Sequence, residues 1–288
     1  MERILIIGCG DVASRIVPLL RARYRMYGLL RDPARNARWR AMGVTPIRAD
    51  LDHPASLRRL AGLADIVLHL APPAAQGEGD ARTQALLAAL SRGTLPRRLI
   101  YISTSGVYGD CHGAWVDETR PTMPQSARAQ RRVAAERLVR DWATRTGVQV
   151  NLVRVPGIYA ADRLPIERLR AGTPAITEAE DSYTNHIHAD DLARAIIATL
   201  RYGAPSRTYH ASDDSQMLMG AYFDAVADAC GLPRPRRITR AEAEHALSPM
   251  LLSFMQESRR LSNRRLKQEL RLKLRHPTVC DTLHDLLR

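Results

Sequence analysis

The feature of this sequence that most limits its fold is the regular alternation of short apolar runs with amphipathic segments through its first half. The apolar runs predict six strands, namely ILIIG, RMYGLL, VTPIRAD, ADIVLHL, RRLIYIS and VQVNLVRV. The segments between them predict helices over Asp11–Ala22, Pro33–Met42, Pro54–Leu63, Ala81–Ser91 and Gln125–Thr146. Strands joined by crossover helices lie parallel to one another. The sequence therefore predicts an α/β fold, a doubly wound parallel sheet with helices on both faces.

The pattern becomes less regular beyond the last of these strands. Prolines interrupt it at positions 165, 174, 205, 233 and 235. Helices are still predicted over Ala189–Arg201, Met217–Cys230 and Arg240–Ala246. We therefore divide the chain into residues 1–155, which contain the regular alternation of strands and helices, and residues 156–288, which complete the sheet and form a smaller cap.

Composition excludes several classes of protein. At 45% hydrophobic residues the chain is globular, and none of its apolar runs approaches the length that crosses a bilayer. The first residues, MERILIIG, are too short and too lightly charged for a signal peptide. The four cysteines are far apart in the sequence, which argues against a disulfide framework and a zinc site. We expect a protein of the reducing cytoplasm without membrane partners.

The net charge of +13 suggests nucleic-acid binding at first sight. However, only Lys267 and Lys273 among the 43 basic residues are lysines, and the arginines are scattered along the whole chain. Such a skew is more typical of biased codon usage than of a binding surface. Aromatic residues make up only 5% of the chain and do not interleave with the basic runs. The sequence therefore argues against a nucleic-acid partner.

A glycine-containing turn, GCGDVA, lies directly between the first predicted strand and the first helix. The first glycine of this G-x-G-x-x-A pattern permits a tight turn, and the second lets backbone amides approach a pyrophosphate at the helix N-terminus. The alternative is a glycine turn that binds nothing, but the position inside a strand–helix–strand unit favours a dinucleotide. The residues assigned to the cofactor here are Gly8, Cys9, Gly10, Asp11 and Val12.

The end of the second predicted strand bears on which dinucleotide binds. A carboxylate at this position takes the ribose 2′-hydroxyl of NAD, whereas an arginine suits the 2′-phosphate of NADP. Arg31 occupies the position, and Arg35 follows one turn into the next segment. Both arginines are alternatively ordinary solvated charges at the start of a helix. We predict NADP, with NAD as the other possibility.

Other strand ends supply further candidates. Asp50 and Leu51 close the third strand, and Ala71 and Pro72 follow the fourth, where ligands bind in open parallel sheets. The fifth strand runs into YISTSGVYGD, which places Ser103, Thr104, Ser105 and Tyr108 together. This cluster of hydroxyl groups predicts the reaction site.

Taken together, these segments resemble the extended short-chain dehydrogenase/reductase superfamily, the NAD(P)-dependent epimerase/dehydratase group. The segments that carry the resemblance, in order, are GCGDVA, LLRDP, RADLD, LHLAPP, YISTSGVYGD, VPGIYA and NHIHADDLARAI. The resemblance implies that residues 1–155 form an NAD(P)-binding Rossmann domain and that residues 156–288 contribute the substrate-binding cap. It also implies hydride transfer involving a small polar carbonyl, alcohol or sugar-derived substrate. The closing segment SRRLSNRRLKQELRLKLRHPT resembles the family's small helix followed by a strand and a proline.

The resemblance implies that Thr104 is the hydroxyl that contacts the substrate. The family then places a Tyr-x-x-x-Lys pair on the next long helix, and here the sequence departs from it. Alignment on Glu136 puts Arg128 at the tyrosine position and Arg132 at the lysine position. The chain has no lysine before Lys267 and no tyrosine between positions 108 and 159. Because arginine stays protonated, Arg128 is a poor acid or base, although Arg132 can still hold a ribose or phosphate.

Two functions remain open. In the first, the protein is an enzyme of this type that transfers the proton through a group other than the missing tyrosine, with Thr104 orienting the substrate. Tyr108 is the nearest candidate for that group, although it is alternatively a packing residue. In the second, the protein binds NADP(H) without turnover as a regulator or sensor. We assign Thr104 and Tyr108 to catalysis, and Ser103 and Arg132 to the cofactor.

The remaining motifs add residues near the substrate. The resemblance implies that Pro156 and Gly157 form a wall of the nicotinamide pocket, and that Arg163 meets an anionic substrate or caps a loop. With Ser105, we add Arg163 and His186 to the substrate site. His186 and His188 in NHIHADD suggest a metal, but metal sites usually recruit more distant ligands, and we predict none. A homo-oligomer is possible.

Overall fold

The computed structural model describes residues 1–286 of the chain and is built on a seven-stranded parallel sheet. Counted along the chain, its strands are Glu2–Ile7, Tyr24–Leu30, Val44–Arg48, Ile66–His69, Arg98–Thr104, Gln149–Val155 and Thr208–His210. From edge to edge they lie in the order seven, six, five, four, one, two, three, and each pair of neighbours is parallel. This order confirms the predicted fold class, with its switch point between the first and fourth strands.

The helices are α1 (Asp11–Leu20), α2 (Asn36–Ala41), α3 (Ala81–Leu90), α4 (Ala127–Thr146), α5 (Ile166–Arg170), α6 (Ala189–Tyr202), α7 (Met219–Ala229), α8 (Arg240–Ala246), α9 (Pro249–Met255), α10 (Arg264–Gln268) and α11 (Val279–Leu286). The predicted helix over Pro54–Leu63 is instead a 3-10 helix over Pro54–Leu60, entered through Pro54. Within residues 1–286, the helices lack the combination of length and apolar character that crossing a bilayer requires.

Both faces of the sheet are covered because its strands are apolar on both sides. In the first strand, Ile4 and Ile6 join the core formed with α1 and α6, whereas Leu5 and Ile7 join the core formed with α3 and α4. All four side chains are completely buried. This alternation follows from the two-residue repeat of a strand, and it leaves only the strand ends free to build a site.

The chain leaves the sheet after Val155 and returns at Thr208 to form the seventh strand, at the edge next to the sixth. In between and afterwards it forms a smaller layer of short strand pairs and helices. The pairs are Gly157–Tyr159 with His186–His188, Ala175–Ile176 with Arg237–Ile238, and Tyr183–Thr184 with Met217–Leu218. A separate core, centred on α7, fills this layer. Trp115–Val116 also pairs with Arg260–Leu261, which draws the C-terminal segment back toward the end of the fifth strand.

The closing segment differs from the expectation in one respect. Helix α10 is present, but the following residues, 270–274, are an extended segment outside any described strand pair. Leu270, Leu272 and Leu274 are nonetheless buried against the core beneath α1 and α6, while the residues between them are exposed. The alternation that predicts a strand therefore reflects packing of an extended chain without a partner strand.

Candidate active site

In the glycine turn after the first strand, one position has a backbone conformation that requires glycine. Gly8 has φ +97°, and a Cβ on it would stand 2.6 Å from the backbone nitrogen of Ala71. Gly10 caps α1 with extended backbone, and a Cβ there would meet no atom of residues 1–286 within 4 Å. The first glycine thus lets two strand ends approach each other, and the second leaves the N-terminus of α1 open. This geometry fits a pyrophosphate.

A cavity of about 500 Å³ lies over this turn. It brings together the sequence-predicted residues Gly8, Cys9, Gly10, Arg31, Arg35, Asp50, Leu51, Ala71 and Pro72. The sequence reasoning missed Arg82 in the first turn of α3, which also lines the cavity and donates to both carboxylate oxygens of Asp52 at 2.7 and 2.5 Å. The shape and lining of this cavity fit the adenosine and phosphate part of a dinucleotide.

Arg35 holds the glycine turn directly, since its Nη2 donates to the carbonyl oxygen of Cys9 at 2.5 Å. Arg31 and Arg35 both have exposed side chains at the cavity. The neighbouring Asp32 stabilises the local backbone, because its Oδ1 accepts from the backbone N–H of Ala34 at 2.9 Å. At the end of the second strand, therefore, the Arg31 and Arg35 guanidinium groups border the cavity together with the Asp32 carboxylate, one oxygen of which is engaged by the backbone.

Three predicted residues of this region point elsewhere. The Cys9 side chain is buried against Gly28, and burial raises the pKa of its thiol to about 12, so only its backbone faces the cavity. Val12 packs against the core and does not line the cavity. Asp11 accepts from Arg163 at 2.8 Å and from Arg15 at 3.1 Å. Burial opposes ionisation of Asp11, but these hydrogen bonds outweigh it, and the pKa of the carboxyl lies below its ordinary value.

A second cavity, of about 310 Å³, lies at the ends of the fifth and sixth strands. Of the predicted residues it brings together Thr104, Ser105, Arg132, Pro156 and Gly157. Arg128 also lines it. The second layer adds three residues that sequence reasoning missed, Tyr183, Glu257 and Arg259. Predicted residues Arg163 and His186 are not among its lining.

Thr104 is positioned by the turn that it begins. Its Oγ1 accepts from the backbone N–H of Gly106 at 3.3 Å, which caps the 3-10 turn over Ser105–Tyr108. A Cβ on Gly106 would stand 3.8 Å from Thr104 Oγ1 and also 3.8 Å from Glu257 Oε2. The Glu257 carboxylate therefore lies on the same side of this turn as the Thr104 hydroxyl. Arg259 donates to Glu257 Oε2 at 2.8 Å.

Arg132 connects helix α4 to the fifth strand. Its Nη1 donates to the hydroxyl of Tyr101 at 3.0 Å and to the carbonyl oxygen of Ile102 at 2.8 Å. Ser103 faces away from this cavity; its hydroxyl is buried and has no hydrogen-bond partner within residues 1–286. The side chain at the predicted cofactor position on α4 is thus fixed in place by the strand that carries Thr104.

The Tyr108 side chain lies inside the protein and lines neither of the two cavities. Tyr108 is 1% exposed, and its hydroxyl accepts from Arg154 at 2.6 Å. His210 Nδ1 lies 2.9 Å from the Ser262 carbonyl, which can only accept, so His210 Nε2 accepts from Tyr108 at 2.5 Å. Burial raises the pKa of Tyr108 to about 12. Both hydrogen-bonding directions of this hydroxyl are used inside the protein, and the side chain does not line the cavity.

The histidines of NHIHADD have internal roles. His186 is 5% exposed, lies 4.2 Å from the Tyr222 ring between centroids, and has its pKa lowered by burial to about 4. His188, Asp190 and His276 lie close enough together to suggest a metal site. However, the His188 and His276 rings are stacked at 3.7 Å, so their in-plane lone pairs do not converge, and His188 Nδ1 accepts from the backbone of Asp190. This cluster does not suit a metal ion.

A parallel sheet with a glycine turn at its switch point, a cavity over that turn and a hydroxyl-lined cavity at the fifth strand defines a dinucleotide-binding α/β protein. The chain belongs to the NAD dependent epimerase/dehydratase family, whose sequence profile matches residues 4–211. Membership confirms the predicted family and a nicotinamide dinucleotide as the class of cofactor.

Individual relatives are similar over most of the chain. The dTDP-4-dehydrorhamnose reductase of Mycobacterium tuberculosis (strain CDC 1551 / Oshkosh) is 26% identical over 220 residues, 68% of this chain and 69% of the relative. A solved structure of a functionally unknown conserved protein from Silicibacter pomeroyi DSS has a TM-score of 0.83 at 29% identity, covering 100% of this chain and 98% of that one. A putative NAD-dependent epimerase/dehydratase from Methylobacillus flagellatus has a TM-score of 0.74 at 25% identity, covering 99% and 97%.

Proposed function

We propose that the protein is an NADP-dependent oxidoreductase that interconverts a small polar carbonyl compound and its alcohol. The observation that carries the proposal is the placement of two cavities along one edge of the sheet. One lies over the glycine turn, and the other is lined by the Thr104 and Ser105 hydroxyls beside Pro156 and Gly157. A dinucleotide bound across the switch point of a parallel sheet would extend from the first of these cavities to the second. The similarity to a dTDP-4-dehydrorhamnose reductase supports a reductase of a sugar-derived carbonyl.

Arg31 and Arg35 support NADP over NAD. A 2′-phosphate at the end of the second strand meets two guanidinium groups, whereas the Asp32 carboxylate is engaged with the backbone of Ala34. Charge-assisted hydrogen bonds from arginine to phosphate are strong and directional. Arg35 is also held by the Cys9 carbonyl, so its position is fixed relative to the glycine turn.

In the proposed reaction, the residues of the two cavities would hold a reduced nicotinamide dinucleotide, which would supply the hydride for the carbonyl carbon. Thr104 donates a hydrogen bond to the carbonyl oxygen and orients it. We assign the proton to Tyr183, because it is the tyrosine that lines this cavity among the described residues. Its O–H bond breaks as the new O–H bond of the alcohol forms, and solvent returns the proton to Tyr183.

One observation favours a second function, binding of NADP(H) without turnover. Helix α4 presents Arg128 and Arg132 to the cavity, and a guanidinium group is a poor general acid or base. A protein of this kind would act as a regulator or sensor.

The experiment begins with purified protein stripped of endogenous nucleotide. NADPH and NADH are titrated separately and followed by the change in coenzyme fluorescence. The NADPH complex is then mixed with a panel of small carbonyl compounds and nucleotide sugars, and oxidation is followed by absorbance. We expect binding of NADPH and its oxidation by at least one class of carbonyl. Binding without oxidation across the panel would favour the regulator, and no binding of either coenzyme would overturn both functions.

A further inference from the structure

We propose that the cavity at the fifth strand contains an oxyanion subsite, formed by Arg128, Arg132 and Arg259. The substrate is then a small carbonyl or alcohol compound that carries a carboxylate or phosphate group. This inference rests on the proposed function for the reacting carbonyl, but the anion subsite itself is a property of the described side chains.

The first argument is the charge of the lining. Among the described residues, three guanidinium groups and one carboxylate, Glu257, border a cavity of about 310 Å³. Arg128 and Arg132 are four residues apart on α4 and therefore lie on the same side of the helix. The described lining therefore has a net positive charge, which favours the binding of an anion.

The second argument is how Arg132 is held. Its Nη1 donates to the Tyr101 hydroxyl and the Ile102 carbonyl, which are both neutral acceptors. These contacts fix the guanidinium in position, and neither of the two acceptors carries a negative charge. A side chain that is oriented before the ligand arrives loses little conformational entropy on binding.

The third argument is a buried donor without an acceptor. Arg259 is 7% exposed, and it donates through Nη1 to the Gly109 carbonyl and through Nη2 to Glu257. Its Nε is buried and has no hydrogen-bond partner within residues 1–286. A buried N–H of a charged group that lacks an acceptor is costly, and an anion bound beside the Arg259 guanidinium would offset part of that cost through its charge.

The position of the subsite determines what the ligand looks like. The guanidinium groups come from α4 and from the C-terminal segment, whereas Thr104 and Ser105 come from the end of the fifth strand. A ligand that reaches both needs its oxyanion only a few atoms from its carbonyl. The cavity volume lies at the small end of the range for ligand sites. These dimensions favour a compact oxo acid or a phosphorylated carbonyl compound.

The test uses malonate and inorganic phosphate as probes. Each is titrated by calorimetry into the full-length protein already saturated with NADP⁺, so that the phosphate sites of the coenzyme are filled. The variants are Arg128→Gln and, as a matched control on the same helix, Arg137→Gln, whose side chain is exposed and outside the cavity lining. Thermal melting checks that both variants remain folded.

We expect at least one probe to bind the wild type and Arg137→Gln equally, and Arg128→Gln roughly tenfold or more weakly, as for loss of a charge-assisted hydrogen bond. The stronger probe identifies which oxyanion the substrate carries. No binding of either probe, or equal binding by all three proteins, would overturn the subsite. The coenzyme titration is carried out first and evaluated separately. A protein that does not bind NADP(H) contradicts the proposed function, whereas a protein that binds NADP(H) but neither probe contradicts the anion subsite alone.

Discussion

At the scale of single residues, two tyrosines show how environment decides what a phenol can do. Tyr108 accepts from Arg154 and donates to His210 inside a closed network, where Arg154 also donates to both oxygens of Glu136 at 3.0 and 2.7 Å. Tyr183 comes from the second layer and lines the cavity beside Thr104. The first has a structural role, and the second is in reach of a ligand.

We expect Tyr183→Phe to lower kcat by roughly 10²- to 10⁴-fold, the usual effect of removing a general acid, with little change in NADPH affinity. Tyr108→Phe is the matched control. It leaves the acceptor of His210 and the donor of Arg154 without a partner, so the free energy of unfolding should fall by about 1–3 kcal/mol while kcat stays near wild type. Urea unfolding and steady-state kinetics measure both. The assignment is wrong if the two variants exchange these effects.

The proposed preference for NADP assigns the 2′-phosphate contact to Arg31. We expect Arg31→Ala to weaken NADPH binding roughly tenfold or more and NADH binding only slightly, because the lost guanidinium meets the 2′-phosphate alone. Arg38→Ala, an exposed arginine of α2 outside the cavity lining, should change neither. Fluorescence titration of both coenzymes decides the matter; equal losses for NADPH and NADH in Arg31→Ala would contradict a role at the 2′-phosphate.

At the scale of elements, the two glycines in the turn between the first strand and α1 have different roles, one in folding and one in binding. Gly8 has φ +97° and is in close approach to Ala71, whereas Gly10 has φ −105° and an open side. The two glycines of one motif therefore have different physical requirements. The first serves the contact between two strands, and the second keeps the helix N-terminus accessible.

We expect Gly8→Ala to destabilise the protein by several kcal/mol, on the order of the cost of strained backbone plus a steric clash with a rigid main chain. Gly10→Ala should keep the wild-type melting temperature, because its new methyl group meets no described atom. It should nevertheless reduce coenzyme affinity, since that methyl group occupies the space above the turn. Thermal melting and coenzyme titration test the pair, and unchanged coenzyme affinity in Gly10→Ala would show that the pyrophosphate lies elsewhere.

The elements also show what the sequence alone can predict. The glycine turn, Arg31 and Thr104 are recognisable because each immediately follows a strand, and strand ends meet at one edge of a parallel sheet. Glu257 and Arg259 are not recognisable in this way. They lie about 150 residues along the chain from the carbonyl of Gly109 that Arg259 contacts. The pairing of Arg260–Leu261 with Trp115–Val116 and the hydrogen bonds of Ser258 to residues 110–113 bring them there. The hydrogen-bond partners of Tyr108, Arg154 and His210, are 46 and 102 residues away in sequence, so the network around this hydroxyl is also invisible to sequence reasoning.

At the scale of the whole molecule, buried neutral histidines link stability to pH. His69 and His210 have pKa values lowered by burial to about 3, and burial lowers that of His186 to about 4. An unfolded histidine titrates near its ordinary value of 6.5. Above that pH these histidines are neutral in both the folded and the unfolded state, so their titration does not lower the free energy of unfolding. Below it the unfolded state binds more protons than the folded state, so stability falls with pH until the folded histidines titrate as well.

We therefore expect each of the three histidines to remove about 2 kcal/mol of stability between pH ~7.5 and pH ~5, an order-of-magnitude figure from the linkage relation. Urea unfolding at the two pH values measures the total. His69→Gln should lose about 2 kcal/mol less stability than the wild type between these pH values, whereas His53→Ala, at a position with an exposed ring, should match the wild type. An identical pH dependence in wild type and His69→Gln would contradict the buried, neutral state of His69.

The late return of the chain to the sheet has a consequence for synthesis. Until Thr208–His210 leaves the ribosome, the strand Gln149–Val155 is an edge with unpaired backbone groups. The nascent protein thus carries the first six strands of the sheet with an unpaired edge while some fifty further residues are translated. Slowed translation across that interval would lengthen the period in which two nascent chains can pair edge to edge.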